Sequence, residues 1–134
     1  MAITALNTLK IDKKERLSTT VSSNSTPYKL VDKSKISVHL ILNNVNEVGN
    51  LKVQLTNDDT AEYIPSGVNW VNVWYRDETE VLQTSGLNVT AGNNVNFMFD
   101  PIETHAKYLR VSYTRISGGA TTRFIEIYVN DSSR

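Results

Sequence analysis

The sequence contains no cysteine, so disulfides, thiolate nucleophiles and cysteine-ligated zinc are all excluded. Its 14 basic and 14 acidic residues leave no formal net charge, which removes the electrostatic footprint of a protein that neutralises many phosphates. Nucleic acid is therefore not expected as a partner. No apolar run approaches membrane-spanning length, and the opening MAITALNTLKIDKKERL lacks the basic, apolar and small-residue succession of a secretory leader. The expectation is a chain made in a cytoplasm, with no membrane partner. Sustained helical periodicity is also missing, apart from the short IDKKERL at 11–17, which reads as one turn or part of an edge strand.

What is present is a β composition. Asn, Thr, Ser and Val are abundant, and apolar residues recur at every second position. The 134 residues have the length of one domain, able to bury roughly two thirds of the surface that its unfolded form exposes. In KISVHLILNN, Ile36, Val38, Leu40 and Leu42 fall on one face and Ser37, His39 and Ile41 on the other, which predicts a central strand. LKVQLT turns Leu51, Val53 and Leu55 inward. VNWVNVWYR (68–76) has adjacent apolar residues and so predicts a bulge or a strand covered on both faces. TEVLQT (79–84), NVNFMF (94–99), KYLRVSYT (107–114) and RFIEIYV (123–129) complete the set, the last two with matching stripes of Leu109, Val111, Tyr113 and Ile125, Ile127, Val129. Asn-, Gly- and Pro-rich turns separate these runs, and the strands flanking ISGGATT read as a hairpin.

These features predict an all-β chain, a single β-sandwich of jelly-roll type with about eight antiparallel strands. Residues 31–134 form that sandwich. Residues 1–30, with the polar STTVSSNSTP, form either its first hairpin or an extended N-terminal arm that pairs with a neighbouring subunit.

Reactive chemistry is scarce. His39 lies mid-strand, and His105, in DPIETHAKY, which reads as a loop before a strand, with Asp100, Glu103 and Lys107 nearby, matches no metal-ligand spacing. NDDTAEY offers Asn57, Asp58, Asp59 and Glu62 as oxygen ligands, but it lacks the alternating acids and central glycine of a helical calcium loop and reads as an Asx turn. Asp77, Glu78 and Glu80 read as a solvated turn. No catalytic, cofactor or metal residues are assigned, and the chain is not expected to be an enzyme. Trp70 and Trp74 are an even number of residues apart, so on an unbulged strand they share a face. That face is either core or an exposed platform; with Tyr75, Asp58 and Asp59 these rings are the candidate interface or ligand platform.

LKVQLTND…GVNWVNV, followed by FMFDPIETHAKYLRVSYTRISGGATTRFIEIYV, resembles a pattern found in small β-sandwich structural proteins of bacteriophages. The matching positions are Gln54, Asn57, Asp58, Asn69, Trp70, Tyr108, Arg110, Val111, Tyr113, Thr114, Ser117 and Gly118. Between Asp58 and Trp70 the chain is longer than the usual tight turn. The resemblance implies a capsid-associated decoration protein or a tail-attached protein, located in the virion, whose partners are its own copies and a major capsid or tail protein. The alternative, from a different class, is a carbohydrate-binding module or receptor-binding tip with a glycan as partner.

Overall fold

The computed structural model describes residues 13–31, 33–76, 82–83, 86–118 and 123–132. Among these residues twelve strands follow in chain order. They are β1 (Lys13–Ser18), β2 (Ser23–Asn24), β3 (Tyr28–Lys29), β4 (Ser34–Leu42), β5 (Glu47–Thr56) and β6 (Val71–Asn72), then β7 (Tyr75–Arg76), β8 (Leu82–Gln83), β9 (Leu87–Val89), β10 (Val95–Thr104), β11 (Tyr108–Gly118) and β12 (Phe124–Asp131). Among the described residues there is no α-helix, only a 3-10 turn at Pro65–Gly67.

The strands make an antiparallel sandwich. One sheet, A, has the order β1-β12-β4-β10; the other, B, has β11 and β5 at its centre, with β2 and β3 on the free side of β11 and β6 and β9 on the free side of β5. A separate ribbon pairs β7 with β8. When β2 and β3 are taken as one broken strand, and β6 and β9 as another, the spatial orders become 1-8-3-6 and 2-7-4-5.

Alternation builds the core. Ile36, Val38, Leu40 and Leu42 of β4 and Ile125, Ile127 and Val129 of β12 face Leu51 and Val53 of β5 and Leu109, Val111 and Tyr113 of β11, all of them buried. Burying each side chain of this size contributes roughly 1.5–3 kcal/mol. In β10 the register to β4 shifts between Phe99 and Ile102, around the cis Asp100–Pro101 bond. The extra residue lets Phe99 and Ile102, an odd number of positions apart, both point inward.

Three local expectations change. The segment after ISGGATT is not a hairpin with the segment before it: β11 pairs with β5, β2 and β3, whereas β12 pairs with β1 and β4 in the other sheet. Both strands carry an apolar stripe, and crossing between sheets turns the two stripes toward each other. Residues 13–30 likewise do not form a hairpin of their own, since β1 joins sheet A while β2 and β3 join sheet B. The part of the expected arm at 1–12 lies outside the described residues, as does most of the strand expected at 79–84. Finally, DPIET continues β10 rather than forming a loop.

Gly49 opens the middle of sheet B. A Cβ there would come within 2.6 Å of the Thr114 carbonyl oxygen and 2.8 Å of the Tyr113 ring. Gly49→Ala is therefore expected to lower stability by about 1–3 kcal/mol in chemical denaturation, as overpacking does in a tight core. An unchanged midpoint would show that β5 and β11 are not packed this closely.

Candidate functional site

Among the described residues the sandwich is open along one side, where β10, the edge of sheet A, does not pair with β6 at the edge of sheet B. A cleft of about 690 Å³ occupies that gap. Its floor is aromatic. Tyr75 stands edge-on to Phe97 and Phe99 with ring centroids 5.0 and 5.3 Å away, and Phe97 and Phe99 are themselves 5.0 Å apart. These geometries suit the ring quadrupoles. The Tyr75 hydroxyl donates to the Gly86 carbonyl at 3.2 Å, so this ring also ties the β7–β8 ribbon to the chain that leads into β9. Val71, Trp74 and Met98 line the cleft and are 67%, 64% and 48% exposed. An apolar margin this accessible is suited to being covered by another surface.

The two tryptophans part company because the strand they were expected to share is interrupted. After β6 the Val73 amide still donates to the Val53 carbonyl of β5 at 2.8 Å, and the chain leaves β5 at Trp74 before β7 begins, which takes Trp74 to the cleft. Trp70 instead lies against the outer face of sheet B. Its indole N–H donates to the Pro65 carbonyl at 3.1 Å, and the Arg110 guanidinium sits 4.4 Å from its ring centroid. Tyr75 is a packing residue and Trp74 the exposed one.

The acidic loop is occupied with its own structure. Asp58 Oδ1 accepts from the Thr60 hydroxyl at 2.7 Å and the Thr60 amide at 2.8 Å, and these bonds hold its carboxyl below the ordinary value. Asp59 accepts from Lys107 Nζ at 2.6 Å, and that bond raises the Lys107 pKa. The Tyr108 hydroxyl donates to Glu62 Oε2 at 3.3 Å, and Ala61 is buried beneath the loop. Thus 57–70 folds over one end of sheet B as a cover. Glu103 pairs with Lys35 at 3.6 Å, and His39 shares a 2.6 Å hydrogen bond with Asn96. No group of three His, Asp or Glu side chains able to hold a metal occurs among the described residues, and Asp77, Glu78 and Glu80 lie outside them.

Sequence reading missed Phe97, Met98 and Val71 as cleft residues. Alternation predicts which of them alternate along a strand, but the gap between two sheet edges depends on topology.

The two roles separate on mutation. Trp74→Ser is expected to change stability by no more than about 0.5 kcal/mol, whereas Phe99→Ala should cost about 3–5 kcal/mol; thermal and chemical denaturation of the two variants checks both. A large loss in Trp74→Ser would make that ring a core residue. No protein-family model matches the sequence, and neither a curated protein nor a solved structure matches the chain.

Proposed function

We propose that this chain is a non-enzymatic structural protein of a bacteriophage virion, a capsid-associated or tail-attached sandwich that works by covering, and being covered by, protein surface. The observation that carries the reading is the open cleft with its exposed Val71, Trp74 and Met98 over an aromatic floor. Apolar surface rimmed by Asp100 and Glu103 has the make-up of an association surface, and aromatic and Met side chains are those enriched at the centres of interfaces.

Two further features support it. The spatial order 1-8-3-6 against 2-7-4-5, reached by merging the broken strands and setting the β7–β8 ribbon aside, supports the reading of a jelly roll, an architecture used by capsid proteins and by lectins. The segments that resemble bacteriophage structural proteins fall on β5, β6, β10, β11 and β12, the strands that form the cleft and the core beneath it. Fold alone does not assign function, so the cleft carries the weight. Zero net charge is compatible with close packing of many copies, because neighbours do not repel as like-charged bodies. The partners in this reading are copies of the chain itself and a major capsid or tail protein. The carbohydrate-binding alternative draws on the same exposed Trp74, which could stack a sugar ring.

One series separates the two. Light scattering across a concentration range should show the unmodified chain associating, and Trp74→Asp or Met98→Glu should return it to monomers with the same circular dichroism. A chain that stays monomeric at high concentration, and does not bind virions lacking it, contradicts the assembly reading. Glycan binding that vanishes in Trp74→Asp would favour the alternative.

A further inference from the structure

The outward face of sheet B holds a polar row across three neighbouring strands. Arg110 of β11 stands opposite Gln54 of β5, which stands opposite Asn72 of β6. Arg110 Nε donates to Gln54 Oε1 at 2.8 Å, and Gln54 Nε2 donates in turn to Asn72 Oδ1 at 2.9 Å. The guanidinium carbon sits over the Trp70 ring, 4.4 Å from its centroid, and that ring is anchored through Pro65. Its Nε–H and one face are thereby used. Its terminal amino groups have no hydrogen-bond or ion-pair partner among the described residues.

An arginine held this way is unusual for a merely structural charge. A surface guanidinium commonly ends on a carboxylate, yet no described acid faces this one, and burial alone shifts its pKa, downward. Lys52, on the same face of β5 and diagonal to Arg110, also has no ion-pair partner among the described residues. A chain with no net charge thus concentrates two uncompensated cations on one facet. Beside them lie amides that brace one another: Gln54 on Asn72, and Asn50 Nδ2 donating to Asn88 Oδ1 at 3.2 Å. Asn50 and Gln54 are about 13 Å apart along β5 at the usual strand rise, which is room for more than one sugar ring.

We propose that this face binds a saccharide bearing a carboxylate, with the Arg110 terminal amino groups gripping the carboxylate and the amides of Gln54 and Asn88 taking ring hydroxyls. A planar guanidinium fork matches a carboxylate in two parallel hydrogen bonds. Because Trp70 and Gln54 already fix it, little further side-chain freedom is lost on binding. Braced amides favour a hydroxyl-dense ligand over an acidic peptide, which would bring apolar side chains to a facet built of Arg, Lys, Asn and Gln. The site lies on the outer face of the sheet rather than in the cleft, so it does not rest on the assembly reading.

The experiment is a calorimetric or NMR titration of the full chain with a galacturonic acid tetramer, its methyl ester and poly-glutamate, at low and high salt. The acid should bind, weaken with salt, and bind at least about tenfold more tightly than the ester, the difference expected for losing a charge-assisted hydrogen bond. Arg110→Lys keeps the charge but loses the fork, and should weaken the acid by a similar factor. Gln54→Glu places a carboxylate on Arg110 from within; it should abolish binding while the melting temperature holds or rises, which separates a blocked site from a damaged fold. Equal binding of ester and acid, equal binding of poly-glutamate, an unaffected Arg110→Lys variant, or no binding of the acid at about 10 mM, a concentration that detects even millimolar affinity, each overturns the proposal.

Discussion

Every long strand of this protein has one face that must leave water, and the chain satisfies this by changing sheets at nearly every connection. β4 leads from sheet A to β5 in sheet B, β10 leads from A to β11 in B, and β11 leads back to β12 in A. Neither sheet can close without the other, because neighbours within a sheet come from distant parts of the chain. The core stripes of β4, β5, β11 and β12 meet in the middle, where Val38, Leu40, Leu51, Val111 and Ile125 are fully buried. Loop closure over such separations costs entropy that only the completed apolar interface repays.

The surfaces follow from that closure. Sheet A ends at β10 and sheet B at β6 and β9, and where these edges diverge the core is left open as the aromatic cleft. The same alternation that turns Leu109, Val111 and Tyr113 inward turns Arg110 outward, onto a facet roofed at one end by the 57–70 loop. One buried group fits the frame poorly. Glu47 is fully buried at the start of β5; Oε1 accepts from the Asn46 amide at 2.7 Å and lies 3.9 Å from Arg123 Nε, while Oε2 has no hydrogen-bond partner among the described residues. Such a carboxylate costs stability rather than adding it.

Much of this is legible in the sequence. Alternation at 36–42 gave the faces of β4 residue by residue, since one register slip would expose the whole stripe. The start of β5 was not legible, because Gly49-Asn50 reads as a turn ahead of LKVQLT; Gly49 belongs in the strand because only its missing side chain admits the Tyr113 ring. ISGGATT misled for a different reason. A glycine-rich segment can join strands within one sheet or between two, and only the distant strands β5 and β4 decide which. Trp70 and Trp74 illustrate the same limit, for their shared face depended on an unbroken strand, and the adjacent apolar residues of 68–76 signalled an irregularity without fixing where the strand breaks. For Arg110 the outward direction was readable; the absence of a facing acid was not, because it depends on which strands lie beside β11.

We propose that the open side of the sandwich is covered by protein, and hydrogen exchange followed by mass spectrometry at low and high protein concentration tests this. Peptides spanning β10 and residues 71–76 should gain protection as concentration rises, while the β11 segment around Arg110 keeps its rate. Exchange in the cleft that is independent of concentration, or protection that appears on the Arg110 face alone, would contradict it.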